Sequence, residues 1–425
     1  MKNVETPSFY MPVWVVVFAF VLFGPLMAMG PRFTPGIIVY GTVALLPLLF
    51  QHWREIPKFY VQPAGGMLLA ALLYSIISVA WSPSRRAADM GIDLAYLTIC
   101  GALVAGAFYF TPKNIKPAIV LFFSTSLIAG FGFLLVEMLF DHPIHRAFNG
   151  VPSGAPLSSS IDKRLISLFS LGIWPLAAWL EFSKKRLWAI GAITAFLCLA
   201  LYSSSRAAAL GLVCGIVTLF IAGYGPRVTR WVLMAVIAAG ITLTLPALYI
   251  AKDLPPQVVD KLFSSAQHRV EIWTMTLPHV LEKPIFGHGI DASRGIKTEV
   301  AQATPYIPAG ENVISQHPHN VFLQLWLDFG AIGAVLWGGL MLMLAHAIGK
   351  MPRDIQPYAL SAAFCSLALL CTSYSPLQAW WLAMHITTAL ILTLIAQSDP
   401  KDVRDMNGEF LSRVKAKALR QGKRT

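Results

Sequence analysis

Charge is scarce in this chain. Asp, Glu, Lys and Arg make up 13% of its 425 residues, 56% are hydrophobic and the mean hydropathy is +0.62. Soluble domains carry about a quarter charged residues, so a water-soluble globular chain is excluded. Cysteine is equally thin: Cys100, Cys198, Cys214, Cys365 and Cys371 all fall inside apolar stretches. That placement argues against a disulfide framework or a cysteine-rich metal site and leaves packing as their role. Internal repeats, low-complexity tracts and any polar region large enough to fold alone are also missing.

What fills the chain instead is apolar runs of membrane-spanning length. A spanning helix needs about 20 mostly apolar residues, and twelve windows qualify: 12–30, 35–53, 64–81, 92–110, 118–140, 165–182, 187–203, 207–224, 231–250, 320–348, 358–376 and 378–397. The expected fold is all-α, a polytopic integral membrane protein with about 12 transmembrane helices and a long extramembrane loop that contains an amphipathic helix. The first window has a long apolar run, Glu5 before it and no convincing cleavage site after it, so it reads as a retained anchor rather than a signal peptide. The expected organisation is nine helices within 1–250, the loop 251–319, three helices within 320–397 and a basic tail, 398–425.

Lys and Arg orient the bundle. With the N-terminus in the cytoplasm, 20 of the 33 basic residues lie inside and 13 outside, and six of those 13 sit in 251–319. Loops longer than about 60 residues barely count in the positive-inside rule. The contrast therefore becomes 20 against 7, which places both termini inside and 141–164, 203–206 and 251–319 outside. Most of the net charge of +12 is thus topology and tail, and points to membrane lipid rather than nucleic acid. The tail spaces Phe410, Val414 and Ala418 at helical intervals among positive charges, as a helix on an anionic leaflet does; a solvated tail is the alternative.

The 251–319 segment is too long for an idle linker. Val270, Trp273, Leu277 and Val280 or Leu281 recur at helical spacing, while His268, Arg269 and Glu271 face elsewhere. This predicts an amphipathic helix resting on the outer membrane boundary. Pro278 and Pro284 are expected to break it, and Gly287 and Gly289 to allow a tight turn before the chain returns to His319.

Charged residues beside spans are informative because hydrocarbon excludes them. Arg206 stands in a turn with almost no loop around it, after "LYSSS" and before "AAALGLVCGIV". It is a fixed cation for an anionic group, helped by nearby hydroxyls and helix N–H groups, or an arginine snorkelling to a phospholipid. Arg269, four residues before Trp273, suits phosphate contact at a surface, or a salt bridge to Glu271 or Asp260. Arg85, Arg86 and Arg146 are further outer cations. His317 and His319 open the stretch "HPHNVFLQLWLDFGAIG", where Asn320 is an N-cap candidate and His319 either a general base or a capping-loop residue. Asp141, His142 and His145 in "DHPIH" lack a recognisable metal-ligand spacing.

The sequence here resembles the O-antigen ligase family, integral membrane enzymes that share a hallmark region with O-antigen polymerases. The family pattern is His, then Asn, Ser or Gln, nine residues, Gly, two residues, and Gly, Thr or Tyr. This chain has His319, Asn320, nine residues, Gly330, two residues and Gly333. "SSSRAA" around Arg206, and "HRVEIW" followed by "PIFGHGI", resemble the remaining hallmarks, so the likeness runs from about Leu201 to Leu340.

The resemblance implies glycosyl transfer on the periplasmic side of a bacterial inner membrane. The donor is a polysaccharide on undecaprenyl diphosphate and the acceptor a sugar hydroxyl of lipid A-core. Arg206 and Arg269 then bind the diphosphate and His319 is catalytic; Arg86, Arg146 and His317, from their expected outer position alone and not from the resemblance, are candidates for additional anion contacts. No metal or other cofactor is implied and the reaction inverts. An O-antigen polymerase or a protein O-oligosaccharyltransferase uses the same donor; a lipid-linked glycan transporter calls for charge along a midplane route, whereas Glu137 and Asp328 are nearly the only carboxylates well within spans. Gly330 and Gly333 share a helix face, for ordinary helix packing or for close approach of a polyprenyl chain.

Overall fold

The computed structural model describes residues 23–111, 113, 115–152, 154, 160–203, 205–297, 314 and 316–399. Among them every regular element is helical, as hydrocarbon requires of a chain that must satisfy its backbone polar groups internally. The principal helices are α1 (Thr34–Gln51), α2 (Pro63–Ile77), α3 (Ala87–Phe110), α4 (Lys116–Leu139), α5 (Ser160–Phe182), α6 (Arg186–Tyr202), α7 (Arg206–Tyr224), α8 (Pro226–Ala251), α9 (Ser264–Glu282), α10 (Val321–Ile348), α11 (Gln356–Leu370) and α12 (Ala379–Gln397).

Nine segments among the described residues are long and apolar enough to cross a membrane: α1 to α5, α7, α8, α10 and α12. Two shorter apolar helices, α6 and α11, fill two further predicted windows. Large apolar side chains such as Phe220, Leu187, Trp188 and Ile250 stay exposed along these helices, a surface that suits lipid and not water. The protein is an all-α, multi-pass membrane protein. The window 12–30 lies largely outside the described residues, with 23–29 helical, and the tail 398–425 does so beyond Asp399.

Helix α5 is the central post, with 94% of its apolar window buried inside the protein. It packs against α4, α6, α7, α11 and α12. Association between helices in lipid rests on close van der Waals contact, so small residues sit where backbones meet. Gly211 of α7 lies against Cys365 and Leu369 of α11, and Gly215 admits the ring of the fully buried Trp174 from α5. Glu137, buried near the end of α4, is a cap: its carboxylate accepts the backbone N–H groups of Ile144 (2.7 Å) and His145 (3.0 Å) at the start of the short helix Pro143–Asn149.

Helix α9 is the amphipathic helix of the long loop. Pro278 lies inside it and does not end it. Proline removes one N–H bond, but Leu277 and Val280 beside it are buried with Leu248, Leu323 and Leu327, and that packing carries the helix through to Glu282. The helix therefore rests on the ends of α8 and α10 and runs on past Pro278, a correction to the break expected there.

Residues 284–297 turn as expected, with Gly287 at φ 67° and Gly289 at φ 95°, and they meet α10 where that helix is broken. Gly330 has φ 61° and ψ −158°, a conformation essentially reserved for glycine. Four backbone groups beside the break pair with the loop. Leu327 and Asp328 carbonyls accept His288 N–H (2.9 Å) and Gly289 N–H (2.7 Å). Ala331 and Ile332 N–H groups donate to Pro284 and Ile285 carbonyls at 2.8 and 3.3 Å. At about 1.5 Å per residue, this junction lies roughly 13 Å down α10 from Val321. A Cβ on Gly287 would strike the Asp328–Phe329 backbone, and one on Gly330 the Ile285 carbonyl. The neighbour that comes close to Gly330 is thus this loop; Gly333 is crowded by the Phe329 side chain of its own helix.

Candidate active site

Helix α11 stops at Leu370, short of the predicted 376, and residues 371–378 form a turn into α12. Two consecutive carbonyls of that turn organise the site. Thr372 O accepts Arg269 Nη2 at 2.7 Å, and Ser373 O lies 2.9 Å from His319 Nδ1. Residues separated by 50 positions in sequence are so brought to adjacent peptide units.

His319 reaches it from an uncommon backbone conformation, φ 53°, immediately before α10. Asn320 caps the helix as expected, its Oδ1 accepting Phe322 N–H (3.1 Å) and Leu323 N–H (3.3 Å). A carbonyl can only accept, so His319 Nδ1 carries the proton and Nε2 keeps its lone pair. Burial pushes the imidazole down to about 4, against the bond to Ser373, with Arg269 and His268 lowering it further. His319 is neutral near pH 7 and holds a bare Nε2. His317 stacks edge-on to it at 4.4 Å between ring centroids and is itself buried. Burial, followed by the His319 charge, pushes His317 down to about 3. It therefore offers no positive charge to an anion, only the hydrogen-bonding capacity of its ring, and its Nδ1 has no partner among the described residues.

Arg269 sits in the second turn of α9. Its other contacts are Ser265 O (2.8 Å) and Ser265 Oγ (3.1 Å), both from Nη1, and its buried Nε has no partner among the described residues. Each described partner is a neutral oxygen; no carboxylate ion-pairs with it among the described residues. The guanidinium is fixed in position with its charge uncancelled, which the salt-bridge reading to Glu271 or Asp260 did not anticipate. Trp273 is used separately, donating from Nε1 to Pro318 O at 2.8 Å and so tying α9 to the His317–His319 segment.

Arg206 opens α7 and is exposed. It stands five residues, about 7.5 Å along the axis, from Gly211, which packs on Cys365 and Leu369. Helices α7 and α11 run antiparallel, so Arg206 lies at the same end of the bundle as the 371–378 turn. No side chain caps the helix it begins, and Arg206 makes no hydrogen bond or ion pair among the described residues.

The remaining predicted cations are engaged elsewhere. Arg146 is buried and binds Asp141, by its carboxylate (2.9 Å) and its carbonyl (2.8 Å), together with Pro152 O. Arg86 lies near Asp291, whose carboxyl burial raises and which Ser84, Arg294 and Arg86 pull back down. His142 pairs with Asp162 at 2.7 Å, and no group of three His, Cys, Asp or Glu converges among the described residues. What sequence reasoning missed is the turn itself, because its contribution is two backbone carbonyls.

Residues 190–338 match the family described as O-antigen ligase. Among curated proteins, one of Rickettsia bellii is 26% identical over 239 residues, 55% of this chain and 58% of that protein. One of Rickettsia felis is 28% identical over the same shares, and one of Rickettsia conorii 28% over 155 residues, 35% of this chain and 38% of that protein. Each carries the name "Putative polysaccharide ligase". The chain thus spans little more than half the length of the first two relatives and under two fifths of the third. The resemblance borne by Arg206, Arg269 and the His319–Gly333 spacing is to the O-antigen ligase family, and residues 190–338 are the part of the chain that carries it.

Proposed function

We propose that this chain is an O-antigen ligase of a bacterial inner membrane. It transfers a polysaccharide from undecaprenyl diphosphate to a sugar hydroxyl of lipid A-core, with the site facing the periplasm and both termini in the cytoplasm. The observation that carries the reading is the convergence of an uncancelled guanidinium, Arg269, and a histidine with a bare Nε2, His319, on consecutive carbonyls of one turn.

The chemistry follows from those two groups. A lipid diphosphate leaves readily once its developing charge is stabilised, and a preorganised cation in a site shielded from water does this well. Arg269, joined by Arg206 from the start of α7, supplies that charge. The acceptor hydroxyl oxygen attacks the anomeric carbon from the side opposite the diphosphate, the carbon–oxygen bond to the diphosphate breaks, and His319 Nε2 takes the hydroxyl proton. Configuration inverts, and undecaprenyl diphosphate departs against the arginines. Two arginines can neutralise the diphosphate, so transfer is expected to continue in excess chelator; loss of activity restored by magnesium or manganese alone would contradict that role.

The test is reconstitution. Purified protein, lipid-linked glycan and lipid A-core are combined and the joined product is sought. A product built from two lipid-linked glycans, or glycan attached to protein, would move the assignment to the related transferases.

A further inference from the structure

The turn that holds Arg269 and His319 is itself held, from inside α10. Gln324 is buried one turn into that helix and Asp328 one turn further, on the same face. The Gln324 amide nitrogen donates to Ser375 Oγ at 2.9 Å and to Asp328 Oδ2 at 3.2 Å. Two acceptors facing one end of the amide fix which way it points. Ser375 Oγ also accepts Leu377 N–H at 3.2 Å, bracing the turn two residues from Ser373. At the far end, Asp328 Oδ1 accepts Ala292 N–H at 3.1 Å from the loop that enters the broken helix. A continuous chain of hydrogen bonds therefore runs from that loop through Asp328, Gln324 and Ser375 to the turn.

We infer that Gln324 is a positioning residue for the transfer reaction: through Ser375 it sets the carbonyl of Ser373, and through that carbonyl the tautomer and aim of His319. The inference rests on the proposed function for its catalytic meaning, but its structural content does not. Gln324 touches neither reacting group. Its effect is to keep the Ser373 carbonyl where only a protonated Nδ1 can meet it, which leaves Nε2 free to accept a proton. Arg269 depends on the turn less, because Ser265 supplies two of its three described bonds.

The experiment uses the full chain in lipid nanodiscs with ¹⁵N-labelled histidine. The His319 resonance is identified by its loss in His319→Gln. Two variants are compared with the parent: Gln324→Leu, which removes both donations at similar volume, and Ser375→Ala, which keeps Gln324 and removes the hydroxyl that accepts from Gln324 and from Leu377 N–H. The parent is expected to show a protonated Nδ1 and a bare Nε2 at His319. Both variants are expected to lose that preference, with kcat reduced roughly 10- to 100-fold, the scale of a misplacement of about 1 Å, and the donor KM changed less than about threefold. A folded variant that keeps His319 protonated at Nδ1 overturns the inference whatever its activity, and if Gln324→Leu fails to fold, Ser375→Ala decides alone. The tautomer is read without any turnover, so a chain that proved not to be a ligase would leave this result standing.

Discussion

His319 combines two properties that a solvated histidine does not: one tautomer, and a proton affinity lowered by burial to about 4. The sign of the pH effect follows. Below that value Nε2 carries a proton and cannot accept another, and above it the base is present in full. The acid limb of kcat/KM, which reports groups of the free enzyme, is therefore expected near pH 4, and not near the unperturbed value of about 6.5. A pH–rate profile with that limb close to 6.5 would mean that His319 is solvated or not the base. The arginines separate by their surroundings. Arg269 spans Ser265 and Thr372 with a planar fork that an ammonium cannot reproduce, whereas Arg206 is exposed with no described partner. Arg206→Lys is accordingly expected to retain more donor affinity than Arg269→Lys, while alanine at either weakens it roughly tenfold or more. Equal losses for the two lysine variants, measured by donor titration, would contradict the difference in their roles.

At the scale of elements, apolar runs, the Asn320 cap and the spacing within 264–282 were readable because each is a local property of composition or period. The hallmark spacing from His319 to Gly333 was readable too, but not its physical meaning. Gly330 breaks α10 in a conformation only glycine adopts readily, and backbone groups at the break pair with residues 39 to 47 positions earlier. No local pattern announces a bond between Ala331 N–H and Pro284 O. For the same reason the window 358–376 overshot: Thr372, Ser373 and Tyr374 are neutral by hydropathy, while their backbone serves the site. Gly330→Ala is expected to destabilise the protein, through backbone strain of about 1–3 kcal/mol and collision with the Ile285 carbonyl. Gly132→Ala, where an added methyl meets open space, is expected to leave the thermal midpoint unchanged. Equal midpoints for the two variants would show that the junction at Gly330 does not hold α10.

Across the whole molecule, the charge contrast of 20 against 7 and the antiparallel run of α7 and α11 place Arg206, Arg269 and His319 at one end of the bundle. Single cysteines at these positions, in a background free of the five native ones, are expected to react with an impermeant thiol reagent from the periplasm; labelling of any one from the cytoplasm alone breaks the orientation. Labour is divided at that end in the proposed reaction, arginines for the donor and histidine for the acceptor hydroxyl. Donor affinity and single-turnover transfer, measured side by side for Arg206→Ala, Arg269→Ala and His319→Ala, test that division most directly. The arginine variants are expected to lose both affinity and transfer. His319→Ala is expected to hold lipid-linked glycan as the parent does while transferring it about 10²–10⁴-fold more slowly; donor binding lost as severely as in the arginine variants would put His319 in the diphosphate clamp and contradict its assignment as base.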